Sequence, residues 1–205
     1  YTNSCHLPLP HPIDVEAIKK NPAALHNIEF KKKIRKMMLE GTRPAECSYC
    51  WKVEDIGPQS VGDRVFKSKI YSDKDIAALK DIPWDADIPL KTVEVSFDRT
   101  CNFACSYCNT GYSTTWAKDI EENGPYQHFL TNSAGAYHSD GAWADVFGKY
   151  NDQNPYVQAF IEWYPELSQG LQELRITGGE PSASHNFWRF LETVLLYPAP
   201  NLRLA

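Results

Sequence analysis

The chain has 205 residues, 42% of them hydrophobic, enough for one medium domain or two small ones around a buried core. Its 21 Lys and Arg against 26 Asp and Glu leave a formal charge of -5, so no global basic field draws it to nucleic acid or acidic lipid. No apolar run approaches the roughly 20 residues of a membrane span, and the first residues show no charged-then-apolar pattern, so we expect a soluble, cytoplasmic protein without nucleic-acid or membrane partners.

The opening stretch, Cys5 to Pro22, has prolines at 8, 10, 12 and 22 and reads as irregular backbone. A helix follows. Asn27 is placed to cap it, Phe30, Ile34, Met37 and Met38 recur at helical spacing, and Gly41 is placed to end it. Its other side carries Lys31, Lys32, Lys33, Arg35 and Lys36, which in an acidic chain reads as a solvated face. Arg43 to Trp51 reads as a loop bearing the paired thiols Cys47 and Cys50, and the polar, acidic stretch 72–90 as a short helix and then a linker. That linker divides a segment 1–71 from a segment 91–205.

From Lys91 to Asp98 the residues alternate, with Val93, Val95 and Phe97 on one side, which predicts a strand. A loop with three cysteines leaves its end. Residues 111–164 form an aromatic, polar insertion too long for a simple connection, with helices expected near Thr115 to Glu122 and Gln153 to Tyr164. Glu173 to Thr177 is a second strand, Gly178-Gly179-Glu180-Pro181 a turn, and a helix starts near Ser184. Its core face is Phe187, Phe190, Leu191, Val194 and Leu195, and Pro198 stops it. An apolar alternation begins again at Asn201. The succession of strand, loop and helix implies parallel βα units and an α/β fold. With no initiator methionine at Tyr1 and a strand pattern barely begun at Ala205, we expect a fragment.

Six cysteines are too few for a disulfide scaffold in a chain of this size, and five of them fall into two tight groups, which suits metal better. Cys101, Cys105 and Cys108 offer three thiolates on one loop after a strand. A 4Fe-4S cube held by three thiolates keeps one iron free for a non-protein ligand. Zinc is the alternative on these residues, but structural zinc prefers four ligands in paired Cys-x-x-Cys spacing, which the gap between Cys101 and Cys105 fits poorly.

The loop Cys101-Asn-Phe-Ala-Cys105-Ser-Tyr107-Cys108 resembles the CxxxCxxC signature of radical S-adenosylmethionine (SAM) enzymes, and Gly178, Gly179, Glu180 and Pro181 match that family's GGEP motif in the same order. The resemblance implies a partial (β/α)6 barrel, of which this chain holds about two βα units. It implies that the SAM amino and carboxylate groups chelate the fourth iron, and that one electron cleaves the sulfonium to give a 5'-deoxyadenosyl radical that abstracts hydrogen from a substrate. It further implies that Gly178 to Pro181 meet the methionine amino group, that Tyr107 lies beside the adenine, and that an electron donor such as a flavodoxin or ferredoxin is a partner. Glycines let a main chain approach a ligand, and a carboxylate accepts from an ammonium.

The first third, a mostly irregular or helical module, is similar to the auxiliary-cluster regions called SPASM or twitch, which implies a second 4Fe-4S cluster on Cys5, Cys47 and Cys50. A zinc site on the same cysteines completed by His6 is the open alternative. His26, His128, His138 and His185 show no ligand spacing. Many relatives of this type modify peptides or proteins, so a peptide-like substrate is the leading expectation. The reading from another class is a noncatalytic zinc or iron-sulfur module for folding or partner docking.

Overall fold

The computed structural model describes residues 11–129, 137–139 and 154–205. It divides into two compact units, Tyr1–Lys91 and Thr92–Ala205. None of its helices, among the described residues, is long and apolar enough to cross a membrane.

The first unit is helical. Between the prolines at 12 and 22 lies a stretch free to coil, and there Asp14 accepts from the Glu16 amide at 2.9 Å to start helix α1, Val15–Lys20. The expected irregular backbone is thus interrupted by a turn and a half of helix, because proline restricts only itself and the residue before it. Helix α2 spans Glu29–Leu39 and ends, as expected, before Gly41, whose φ of 75° no β-carbon hinders. Asn27 does not cap it. The residue before the first turn is Ile28, and buried Asn27 instead makes two hydrogen bonds with the backbone of Ile88, accepting at 3.2 Å and donating at 3.4 Å.

The basic side of α2 also departs from a simple solvated face. Lys31 is only 6% exposed, Lys32 pairs with Asp87 at 2.6 Å, and Arg35 donates to the carbonyls of Trp84 and Ala86 at 3.1 and 2.6 Å. Met38, one of the residues recurring at helical spacing, is exposed. The segment 72–90 therefore does more than connect. It carries helix α5, Asp73–Leu79, started by a reciprocal box between Ser72 and Asp75, and then runs back along α2 as a strap of hydrogen bonds. Between α2 and α5 lie α3, Ser48–Glu54, and α4, Asp63–Ser68.

The second unit is a three-stranded parallel sheet in the order β1 (Thr92–Ser96), β2 (Glu173–Thr177), β3 (Arg203–Leu204), with helices in the connections. This is the α/β architecture expected from the alternation. In register, Val93 pairs Leu174 and Val95 pairs Ile176 on one face, while Thr92, Glu94 and Ser96 pair Glu173, Arg175 and Thr177 on the other. Helices α6 (Thr114–Asn123), α7 (Pro155–Leu167) and α8 (His185–Leu196) complete the unit.

Phe97 at the end of β1, Phe160 on α7 and Phe190 on α8 meet with ring centroids 5.3–5.9 Å apart, and Tyr164 sits edge-on to Phe190 at 5.0 Å. This aromatic knot, with Leu174 and Leu167, is the core. Helix α8 contributes less than its pattern promises: Leu195 is 81% exposed and Leu196 is exposed too, whereas Asn186 is buried. A helical stripe buries only where another element faces it, and in the last turn of α8 that cover reaches Thr193 and Val194, which are half-buried, but not Leu195 or Leu196. The opposite, polar sheet face is exposed at Thr92, Glu94, Ser96, Arg175 and Thr177.

Candidate functional site

Both sequence motifs leave the same end of the sheet, because β1 and β2 are parallel neighbours and Ser96 pairs Thr177. Asp98 is the joint between them. Its carboxylate accepts from the Thr100 amide at 2.9 Å, the Ser184 hydroxyl at 2.5 Å and the Asn186 amide at 3.3 Å, tying the end of β1 to the start of α8. Its carbonyl accepts from the Gly179 amide at 3.4 Å, and the Thr100 carbonyl accepts from the Glu180 amide at 2.8 Å.

The two glycines are needed for that approach. Gly178 has φ 125°, and a β-carbon there would stand 2.6 Å from the Asp98 carbonyl and 2.8 Å from the Ser96 hydroxyl. One on Gly179 would collide with the Thr100 carbonyl and lie 2.7 Å from that of Arg99. The chain's own backbone thus occupies one side of the Gly-Gly turn, so ligand approach is not the sole reason for glycine at these positions.

The cysteine loop is held by side chains. Ser113, which caps α6, donates to the Phe103 carbonyl at 2.7 Å, and Thr114 and Thr115 donate to the Cys101 carbonyl at 3.0 and 2.8 Å. Trp116 Nε1 donates to the Cys105 carbonyl at 3.0 Å, and the Tyr137 hydroxyl reaches the carbonyls of Cys108 at 2.9 Å and Ser106 at 3.3 Å. Buried Arg99 donates to the Thr110 carbonyl at 2.5 Å and closes the loop at its base. Of these, Arg99, Ser113 and Thr114 were not singled out from the sequence, although Ser113-Thr114-Thr115 at a helix start is a visible capping signal.

Cys101, Cys105 and Cys108 are all free and half-buried. They feel one another. Burial foremost, then the charges of Cys101 and Cys105, push the Cys108 thiol up, against a lowering hydrogen bond at Asn109. Tyr107 is 88% exposed, and its phenol is raised by a hydrogen bond to Cys105 and by the charge there, with smaller effects from Cys108 and Cys101. Among the described residues no group of three His, Cys, Asp or Glu side chains closes on a single point as one metal ion would require. A four-iron cube takes its thiolates on separate irons, and three thiols spaced along one loop are donors of that kind, whereas a lone tetrahedral ion needs its donors at one point.

Between the two motif loops lies a largely open depression of about 500 Å³ lined by Asn102, Phe103, Glu180, Ser182 and Ala183. The Glu180 carboxylate accepts from the Ser182 hydroxyl at 2.6 Å and its amide at 3.2 Å, which holds its pKa below the ordinary glutamate range and keeps it anionic at neutral pH. Pro181 opens the short 3-10 turn Pro181–Ala183 beside it.

The second cysteine group is built differently. Cys47 stands just before α3 and Cys50 sits inside that helix, 4% exposed, so the pair lies at a helix start and not on an open loop. Cys5 and His6 lie outside the described residues. Comparisons with family models, with curated proteins and with solved structures found no match.

Proposed function

We propose that this chain is the SAM-binding part of a radical SAM enzyme, beginning a partial (β/α)6 barrel. One observation carries the reading: the three-thiol loop and the Gly-Gly-Glu-Pro loop leave adjacent parallel strands at one end, hydrogen-bond through Asp98 and Thr100, and border one cavity. In open α/β sheets that end is where ligands bind.

In this reading Cys101, Cys105 and Cys108 hold three irons of a 4Fe-4S cluster. When bound, the cluster and SAM supply one-electron cleavage of a sulfonium carbon bond and hence a radical able to take hydrogen from a substrate. The chain's own residues bind and orient. Anionic Glu180 and the carbonyls of the Gly-Gly turn accept from an ammonium group, while Asn102 and Phe103 wall the cavity opposite them. Exposed Tyr107 offers an aromatic surface to adenine. The substrate class that goes with this reading is a peptide or protein, with a flavodoxin or ferredoxin as electron donor. A second cluster on Cys5, Cys47 and Cys50 belongs to the same proposal.

Anaerobic reconstitution of a Cys47→Ala/Cys50→Ala background tests the central site alone. The expected result is about four irons and four sulfides per chain and an EPR signal, after reduction, that changes when SAM is added. Zinc bound as tightly as iron, with no effect of SAM, would instead favour a noncatalytic metal module.

A further inference from the structure

Five carbonyls of the cysteine loop accept from donors lying outside it, and the Cys105 carbonyl accepts in addition from the Cys108 amide within the loop at 2.9 Å. Cys101 is served by Thr114 and Thr115, Phe103 by Ser113, Cys105 by Trp116, and Ser106 and Cys108 by Tyr137. Trp116 and Tyr137 come from different parts of the 111–164 insertion, yet their rings meet edge to face at 5.4 Å. Phe129 and Tyr126 complete the group, with Phe129 at 5.2 Å from Tyr137 and Tyr126 at 5.5 Å from Phe129 and 6.5 Å from Trp116. The Tyr126 amide donates to the Tyr137 carbonyl at 2.9 Å, and its hydroxyl donates to Asp119 at 2.6 Å, away from the loop.

A carbonyl bound by an outside donor has its negative end partly satisfied there, although the Phe103 carbonyl, held by Ser113, still accepts from the Cys101 thiol at 3.6 Å. At the one position among the described residues where a loop amide meets sulfur, the Phe103 amide points at Cys101 Sγ at 3.4 Å. Hydrogen bonds and solvent access around ligating sulfurs set the potential of an iron-sulfur group. We propose that Trp116 and Tyr137 form an aromatic clasp of positioning residues that turns the Cys105, Ser106 and Cys108 carbonyls outward and thereby tunes the cluster held by this loop. The inference rests on the iron-sulfur reading above. Part of the long insertion thereby acquires a role, that of holding the metal loop from outside.

The test compares Trp116→Phe, Tyr137→Phe and the double variant with Tyr126→Phe, which keeps the aromatic group but loses a hydroxyl that touches no loop carbonyl. All four would be reconstituted anaerobically with iron and sulfide. The readouts are an EPR-monitored redox titration and the rate at which a chelator removes iron. The expected result is a more negative potential and several-fold faster iron removal in the double variant, smaller effects in each single one, and wild-type behaviour in Tyr126→Phe. Because each substitution keeps an aromatic ring, circular dichroism should show all four folded, and Tyr126→Phe controls for packing alone. Unchanged potential and chelation in the double variant, a potential moved upward, or an equal change in Tyr126→Phe would overturn the clasp. A wild-type protein that takes up no iron would sink the iron-sulfur reading itself, an outcome distinct from any of these.

Discussion

The two cysteine groups look alike as spacing and differ as structure. Cys47 and Cys50 straddle the first turn of a seven-residue helix, with Cys50 buried where a β-carbon on Gly62 would come within 3.1 Å of its own. Cys101, Cys105 and Cys108 sit half-buried on a loop with five carbonyls held from outside, and burial first, then the charges of the first two, raises the pKa of the third. A buried helical thiol contributes packing whatever else it binds, whereas half-buried thiols on a held loop leave their sulfur more accessible. The difference teaches that similar thiol spacing can be set in a helix or on a loop, and that the loop needs its backbone held from outside.

The sharpest way to break this contrast is to remove one sulfur from each group. Cys105→Ala is expected to bring iron at the central site to background and abolish 5'-deoxyadenosine formation with little change in the urea midpoint; retained formation of that product would contradict it. Cys50→Ala should act as a core truncation, costing about 1 kcal/mol or somewhat more by urea unfolding.

Glycines sharpen the comparison next. Gly179→Ala forces a β-carbon against the Thr100 and Arg99 carbonyls and should cost about 1–3 kcal/mol, separating the two motif loops in the process. Gly41→Ala meets no atom within 4 Å and should cost only the left-handed backbone penalty, about 1 kcal/mol. Equal losses in the two variants would show that the contact between the motif loops is slack.

A further expected effect lies in the first unit and depends on pH. Lys31 Nζ stands 2.9 Å from His26 Nδ1. Burial lowers the lysine from 10.5 to about 7. Burial, then the charges of Lys31 and Arg35, lowers the histidine from 6.5 to about 3. Since a charged lysine only donates, His26 accepts through Nδ1 as a neutral ring. Between pH 7 and about 10 the unfolded chain binds a proton at Lys31 that the folded chain does not, so stability rises with pH across that window. Urea midpoints at pH 7 and pH 9 should show the rise, and Lys31→Met should flatten it. A midpoint that stays level over that interval would mean that Lys31 stays charged in the folded state.

Much of the second unit was legible in its residues. The strand at Glu173–Thr177 has the predicted bounds, β1 falls inside its predicted span, and α6, α7 and α8 lie within a few residues of expectation. Period-two and helical repeats report which face is apolar, and in a βα succession the covering element is implied. The pattern misled at Leu195 and Met38, since periodicity marks a face but not whether anything packs on it. Asn27 misled for a related reason: a side chain able to cap a helix is equally able to hold a distant backbone, and Ile88 lies 61 residues away.

By itself the sequence determined the chemistry available and its order along the chain: three thiols after one strand, a Gly-Gly-Glu-Pro turn after the next, and the alternation that makes those strands parallel neighbours. Only the tertiary structure decided what those groups meet. The contact of Gly178 and Gly179 with residues 98–100, the burial of Lys31 beside His26, and the hold of Trp116 and Tyr137 on the cysteine loop all join residues by packing and by hydrogen bonds whose partners no local repeat specifies. Local pattern records the conformation each residue favours, while such pairings depend on how the whole chain closes around its core.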